Sequence, residues 1–168
     1  MKTEIIKAEE ENLLEIMFIY KLNAEDLISK GFTHWNSAYP SYTKVRNNVL
    51  NGQVYLLRKE RTTVGVITLN EEQDSTYNNL TWKGSSNALV VHRIAVVPYF
   101  QKRGYGTQLL EFAEEFAKKN KFQSIRLDTY TKNQTTSDFF SNRGYTKVGE
   151  IGHSQDLLLY TCYEKILA

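Results

Sequence analysis

The chain has 168 residues, 41% of them hydrophobic and 12% aromatic, which is typical of a single domain over residues 1–168 that is large enough to bury a core. Its 21 basic and 19 acidic residues nearly balance, so no net charge favours nucleic acid or an anionic membrane as a partner. The only cysteine, Cys162, excludes an internal disulfide and a multi-cysteine metal site, and no apolar run approaches the ~20 residues that span a bilayer, so we expect a cytoplasmic protein.

The first half of the chain predicts a strand, two helices and a hairpin. Apolar residues recur at helical spacing in the long helix, and a charged turn separates two runs rich in β-branched and aliphatic residues. Asn-Gly follows the second helix and is typical of a helix end. The predicted spans are the strand Thr3–Ala8, one helix or a helix pair that breaks near Asn23 over about Glu11–Gly31, a helix capped by Thr43 that runs to Leu50, and the strands Val54–Leu57 and Val64–Leu69.

The second half predicts strands that alternate with helices. An apolar strand from Leu89 leads into an amphipathic helix that ends near Asn120, and the next strand is parallel to the first if this helix is the crossover. The remaining spans are Ser124–Thr129, a helix over Asn133–Gly144, and the closing strands Thr146–Ile151 and Leu157–Ile166.

Two segments have no clean periodicity. The first, Phe32–Tyr42, is rich in aromatic residues, which either line a pocket or close the edge of a core. The second, Asn70–Ser86, is polar and either carries substrate contacts or only connects two strands.

A basic, glycine-containing turn precedes the amphipathic helix. The start of a helix presents backbone N–H groups and the positive end of the peptide dipoles, and glycines let an anion approach the main chain closely. Two side chains add full positive charges. The turn therefore predicts a phosphate or pyrophosphate site made of Gln101, Lys102, Arg103, Gly104, Tyr105, Gly106 and Thr107.

This turn fits two well-known phosphate loops poorly. The nucleoside triphosphate loop requires a lysine after its second glycine, and Thr107 follows Gly106. The dinucleotide fingerprint requires a third glycine where this chain has Leu109. The turn instead resembles the acetyl-CoA loop of the GNAT N-acetyltransferase superfamily, Gln/Arg-x-x-Gly-x-Gly/Ala after a hydrophobic-x-Pro step. The matching residues are Val96, Pro98, Gln101, Gly104 and Gly106.

The predicted element order, β-α-α-β-β-β-α-β-α-β-β, is similar to that of the GNAT fold along nearly the whole chain. The resemblance implies an α/β fold with a mostly antiparallel mixed sheet, a parallel, splayed strand pair at the cofactor site, and helices on both faces. It also implies acetyl-CoA as co-substrate, with the turn on the pyrophosphate and a backbone N–H of the strand on the developing oxyanion. Dimers are common in the family. The residues implied to contact the pantetheine arm are Ile94, Ala95, Val96 and Asn133.

A second family motif is only partly present. GNAT proteins commonly show Asn-x-x-Ala-x-x-Phe-Tyr-x-x-x-Gly-Phe, in which the tyrosine hydroxyl lies near the sulfur. Here Thr136 replaces the alanine and Phe140 replaces the tyrosine. The resemblance still implies Phe140 as a cofactor-binding residue, but a phenyl ring cannot donate a proton. The thiolate then leaves unaided, takes a proton from water, or uses another donor. CoA thiolate is a tolerable leaving group because thiols titrate near ~8.5. The candidate donors are Tyr105, Tyr130 and Tyr145.

His92 is the candidate general base, since an imidazole titrates near ~6.5 and the strand that carries it lies beside the acetyl group in the family. The alternative is a strand histidine that bonds within the core or faces outward. Asp128 either attracts a cationic amine or forms a turn. Cys162 sits in an apolar stretch and is assigned no catalytic part, and no residues have metal-ligand spacing.

These observations favour an enzyme that transfers the acetyl group of acetyl-CoA to a primary amine of a small molecule or peptide. A non-catalytic acyl-CoA sensor and a nucleotide-binding module are the alternatives. We expect Phe32–Tyr42 and Asn70–Ser86 to wall the acceptor site, with a preference for cationic or aromatic amines if Trp35, Tyr39 and Tyr42 face the cleft.

Overall fold

In the computed structural model, which describes residues 2–152 and 157–167, seven strands and four α-helices follow one another in the predicted order. The elements are β1 Thr3–Lys7, α1 Leu13–Ser29, α2 Tyr42–Leu50, β2 Val54–Lys59, β3 Thr62–Asn70, β4 Ala88–Val96, α3 Tyr105–Lys119, β5 Ser124–Tyr130, α4 Gln134–Ser141, β6 Thr146–Gly152 and β7 Leu159–Ile166.

The strands form one mixed sheet in the order β1-β2-β3-β4-β5-β7-β6. Strand pairs β1/β2, β2/β3, β5/β7 and β6/β7 are antiparallel, whereas β4 and β5 are parallel. The parallel ladder covers three residue pairs, from Ala88 with Ser124 to Val90 with Arg126, although β5 continues to Tyr130. The predicted mostly antiparallel sheet with one parallel pair is confirmed.

The described residues fold as two compact units. The first comprises those of Met1–Leu69 with His92–Ala113, and the second those of Asn70–Val91 with Glu114–Ala168. Strand β4 and helix α3 each pass from one unit into the other along the chain. Each unit has its own buried residues and is described by itself.

In the first unit, helices cover both faces of the sheet. Alternate residues of a strand point to opposite faces. Val54 and Leu56 of β2 belong to a buried cluster with residues of α1 and α2, whereas Tyr55 packs on Phe112 of α3, with ring centroids 4.9 Å apart. Gly65 of β3 allows α3 to come close, because a Cβ atom there would lie 2.9 Å from Leu109 Cδ1.

In the second unit, β5, β7 and β6 form an antiparallel three-stranded arrangement with an aromatic core. Phe140 of α4 lies among the rings of Phe139, Tyr145 and Tyr163, with centroids 5.2, 5.9 and 6.1 Å away. Ile125 and Leu127 of β5 are fully buried or nearly so. The motif around Phe140 therefore contributes to the hydrophobic core of this unit.

The alternative of a helix pair is excluded, and the predicted cap of the second helix is wrong. Helix α1 does not break near Asn23, because the Asn23 amide donates to the Ile19 carbonyl at 2.9 Å and is satisfied within the helix. Helix α2 is capped by Ser41 and not Thr43, since the Ser41 hydroxyl accepts the Lys44 N–H at 3.3 Å.

Candidate functional site

The turn that precedes α3 has the geometry of an anion cradle. Lys102 and Gly104 both have left-handed backbone conformations, with φ of 61° and 88°. Gln108 N–H donates to the Gly104 carbonyl at 3.1 Å, so the amides of Tyr105–Thr107 lie in the first turn, where a helix supplies no acceptor of its own. A Cβ atom at Gly104 would meet no protein atom within 4 Å, which leaves the backbone open to a ligand.

The charged residues of the turn are exposed to solvent. Lys102 and Arg103 are both exposed, and so is the uncharged Gly104. The Arg103 guanidinium lies over two rings, 5.1 Å from the centroid of Tyr99 and 5.8 Å from that of Phe100. Such stacking preorganises the cation at the mouth of the turn. The turn thus combines two exposed positive charges with an accessible backbone, and its binding of a phosphate stays a prediction.

Gln101 has a structural contact within the turn. Its side-chain Nε2 donates to the Val96 carbonyl at 3.0 Å and lies 3.5 Å from Asn23 Oδ1. This bond ties the start of the turn to the end of β4. A direct contact between Gln101 and pyrophosphate stays a prediction.

Four other predicted residues of the first unit lie on β4. His92, Ile94 and Val96 are half-buried, whereas Ala95 is buried in the cluster with α1 and α2. Arg93 has a left-handed φ of 46°, which is uncommon for a residue with a side chain. This conformation falls between His92 and Ile94, at the part of β4 that the family resemblance assigns to the acyl group.

Asn133 and Thr136, in the second unit, organise the start of α4. Asn133 is the N-cap, and its Oδ1 accepts the Thr136 N–H at 3.4 Å. The Thr136 hydroxyl lies 3.0 Å from the Asn133 carbonyl and 2.8 Å from the Thr129 hydroxyl of β5. The threonine in place of the family's alanine therefore fastens the helix to the sheet. The predicted contact of Asn133 with a cofactor stays a prediction.

Phe140 and Tyr145 are core residues of the second unit. Each side chain is 3% exposed. The Tyr145 hydroxyl donates to Glu114 Oε1 at 3.4 Å, and burial, followed by the Glu114 charge, raises the pKa of Tyr145. Such a phenol is a poor proton donor to a leaving thiolate. Tyr105 and Tyr130, the other two candidate donors, are buried at 8% exposure.

An ion pair that sequence reasoning missed anchors much of the Asn70–Ser86 segment. Arg126 Nε lies 3.3 Å from Glu164 Oε2, and Arg126 also donates to Gln73 and to the carbonyls of Gly84 and Ser85. Glu164 accepts the N–H groups of Lys83 and Gly84. This part of the segment is thus fixed to β5 and β7, and Arg126 within an apolar strand was the available signal.

Two candidates with described side chains remain: Asp128 accepts a hydrogen bond, and Cys162 is buried. Tyr77 donates to Asp128 Oδ2 at 2.6 Å, so Asp128 has a buried hydroxyl as partner. Burial, followed by the charges of Asp128 and Asp74, raises the pKa of the Cys162 thiol. That thiol is not an activated nucleophile. His153, a histidine that the sequence predicts to be structural or exposed in a loop, lies outside the described residues.

Two classes of feature are absent from the described residues. Between residues 2 and 152 and from 157 to 167, no three His, Cys, Asp or Glu side chains are grouped so as to hold a metal ion. In the same ranges, every helix is too short or too polar to cross a membrane.

Comparisons with known proteins place the chain in a family. The profile described as "Acetyltransferase (GNAT) family" matches residues 16–145. An uncharacterized N-acetyltransferase from the pepI 3′ region of Lactobacillus delbrueckii subsp. lactis is 25% identical over 154 residues, which cover 88% of this chain and 86% of the relative.

Solved structures share the fold at low sequence identity. A GNAT-family acetyltransferase from Streptococcus agalactiae 2603 superimposes with a TM-score of 0.83 at 23% identity, covering 99% of this chain and 96% of that one. The PaiA N-acetyltransferase of Thermoplasma acidophilum, solved in complex with coenzyme A, has a TM-score of 0.69 at 18% identity. The superposition covers 99% of this chain and 100% of that one.

Proposed function

Since the chain belongs to the acetyltransferase (GNAT) family, we propose that it transfers the acetyl group of acetyl-CoA directly to a primary amine of a small molecule or peptide. Acetyl-CoA supplies the activated thioester. The observation that carries the proposal is the turn before α3, where an open Gly104, the first amides of a 15-residue helix and two exposed cations converge. A structural relative bound to coenzyme A supports the choice of cofactor.

For this reaction the protein mainly has to position the two substrates and to accept one proton. Transfer forms an N–C bond to the acceptor and breaks the C–S bond of the thioester, and the amine gives up one proton. We assign that proton to His92, which is half-buried on β4 beside the left-handed Arg93. The backbone of β4 from Ile94 to Val96 would hold the pantetheine arm, and the turn would hold the pyrophosphate.

A non-catalytic acyl-CoA sensor is the second candidate, and Phe140 favours it. This residue occupies the family's tyrosine position, is 3% exposed and carries no proton to donate. Tyr145, next along the same motif, has its hydroxyl on Glu114. A protein that binds acyl-CoA without turnover has no need of this acid.

Thermal unfolding and turnover together test the proposal. Acetyl-CoA and CoA are each expected to raise the unfolding midpoint, and ATP at equal concentration is not. Release of CoA thiol is then followed with a panel of primary amines, small molecules and peptides. No shift with acetyl-CoA overturns both candidates, whereas a shift without turnover on any amine favours the sensor.

A matched pair of charge-neutralising variants locates the site. Lys102→Gln combined with Arg103→Gln is expected to weaken CoA binding at least tenfold in calorimetry, because two phosphate-facing cations are lost. Lys118→Gln combined with Lys119→Gln removes the same charge from exposed positions at the other end of α3. Equal loss in both pairs would mean that only the overall charge matters.

A further inference from the structure

The first unit contains a polar cluster that is buried except for Arg93, which is half-buried. It brings together Tyr20 of α1, Asn48 of α2, Thr68 of β3 and Arg93 of β4. Tyr20 and Thr68 are 1% and 0% exposed, and Asn48 is 2% exposed. Arg93 donates through Nη2 to Asn48 Oδ1. Arg93 and Thr68 lie against the Tyr20 hydroxyl and oppose the rise in its pKa that burial causes.

Three polar atoms of this cluster form no hydrogen bond of good geometry within the part of the chain that the structure describes, although Thr68 and Arg93 lie against the Tyr20 hydroxyl. They are Tyr20 Oη, Thr68 Oγ1 and Arg93 Nε. An unsatisfied buried polar group costs about 1–3 kcal/mol, so three at one place are unusual. Because burial raises the pKa of Tyr20, its hydroxyl keeps its proton at neutral pH and can donate it.

The cluster also has an uncompensated positive charge. Among the described residues, no carboxylate forms an ion pair with Arg93. Asn48 satisfies part of the guanidinium, and its own amide is turned toward Gln53 Oε1 at 2.9 Å, which leaves its carbonyl oxygen on Arg93. A guanidinium with two neighbouring hydroxyl donors matches the planar, bidentate geometry of a carboxylate.

We propose that Arg93, Tyr20 and Thr68 bind the carboxylate of the acceptor, so that the preferred acceptor is a free amino acid. The inference rests on the proposed function for its reaction. Arg93 follows His92 directly on β4, and in a free amino acid the amine is on the carbon next to the carboxylate, so a carboxylate bound by Arg93 would bring the amine to this part of the strand. Trp35 packs edge-on against Tyr20, with centroids 5.5 Å apart, and closes the cluster on one side.

A carboxylate site would discriminate between classes of acceptor that the family resemblance does not distinguish. A free amino acid presents a carboxylate beside its amine. A decarboxylated amine, an amino acid amide and most peptide N-termini do not. Leaving buried donors without a partner penalises such acceptors more than the loss of one contact would, because the donors remain desolvated.

The test measures acetyl transfer from acetyl-CoA to matched acceptors. L-phenylalanine is compared with phenethylamine and L-phenylalaninamide, L-alanine with ethylamine, and phosphoethanolamine tests a different oxyanion. The wild type is expected to favour the carboxylate member of each pair at least tenfold in kcat/KM. Tyr20→Phe, Thr68→Val and Arg93→Met are each expected to reduce that ratio about fivefold or more, mainly through KM.

Thr63→Val is the matched control, because Thr63 is on the same strand, is 9% exposed and bonds to Glu15 outside the cluster. It is expected to leave the acceptor ratio unchanged. Equal rates with the members of each pair, or a preference for phosphoethanolamine, would overturn the carboxylate assignment while the acetyltransferase proposal stands.

Binding of the products keeps the inference testable without turnover. The wild type is expected to bind N-acetyl-L-phenylalanine at least tenfold more tightly than N-acetylphenethylamine in calorimetry with CoA present, and Thr68→Val is expected to reduce that difference. If no amine is acetylated, only the proposed function is contradicted. If the two products bind equally, the carboxylate site fails.

Discussion

Arg126 of β5 and Glu164 of β7 face each other as register partners of the antiparallel ladder and form a buried ion pair, with side chains that are 6% and 3% exposed. Trp82 lies over the guanidinium, 4.4 Å from it to the ring centroid. The carboxylate receives two backbone N–H groups, and the guanidinium reaches three oxygen atoms besides Glu164. The pair is therefore the anchor of the segment before β4.

Glu164→Gln should lower the free energy of unfolding by about 3–5 kcal/mol, because it leaves the Arg126 charge buried without its partner. Urea unfolding measures the change. Glu10→Gln is the control, since Glu10 pairs with Arg46 at 2.9 Å but both side chains are about half exposed, at 54% and 43%. The control should change stability by less than about 1 kcal/mol. Similar losses in both variants would show that burial of the pair is not what matters.

Gly104→Ala should weaken CoA binding, whereas Gly31→Ala should not. The two glycines have nearly equal φ values, 88° and 87°, and a Cβ atom at either would meet no protein atom within 4 Å. Both variants therefore pay the same backbone strain of about 1 kcal/mol, which thermal unfolding will show. Only the Cβ at residue 104 would meet a bound pyrophosphate, and we expect at least a tenfold loss of CoA affinity there. Unchanged affinity would remove Gly104 from the site.

Asn133→Ser and Asn133→Ala separate capping from cofactor binding. Serine retains an N-cap oxygen and alanine does not, so only the alanine variant should lose about 1 kcal/mol of stability. Both variants lack the carboxamide, and both are expected to bind CoA about tenfold more weakly, the value of one hydrogen bond. Native affinity in the serine variant would assign Asn133 to capping alone.

Phe140→Tyr restores the acid of the family motif, and we expect turnover equal to or faster than that of the wild type. Initial rates with saturating acetyl-CoA measure it. Phe139→Tyr adds the same hydroxyl to the neighbouring ring, 5.2 Å away between centroids, and should not accelerate the reaction. A collapse of turnover in a folded Phe140→Tyr variant would mean that the phenyl ring itself shapes the site.

The free energy of unfolding should fall in alkaline solution, and ionisation of the Cys162 thiol should be the first cause. Burial and two nearby carboxylates raise the pKa of this thiol in the folded state above the ~8.5 of an unfolded chain. The unfolded state therefore loses its proton first, and the stability present below pH ~8.5 is lost as the pH rises. Between pH 7 and 9.5 the wild type should lose about 1.4 kcal/mol more than Cys162→Ala in urea unfolding. Parallel losses would mean that the thiol ionises normally in the fold.

The element order and the open, glycine-containing turn before α3 were predictable because they depend on local information. Hydrophobic periodicity follows from the geometry of a single strand or helix, and the spacing of Gly104 and Gly106 acts within one turn of chain. The errors at Asn23 and Ser41 are also local. At each position a polar side chain can bond to a nearby backbone group either within a helix or at its end. The sequence pattern does not specify which of the two forms.

The sequence by itself therefore determined the order of the elements, the family resemblance and the turn before α3. Only the tertiary structure decided which distant side chains meet. Arg126 and Glu164 are 38 positions apart and become neighbours through strand register. Tyr20, Thr68 and Arg93 come from a helix and two strands. These contacts depend on how the elements pack and on which residues a strand ladder aligns, and the periodicity of a single segment specifies neither.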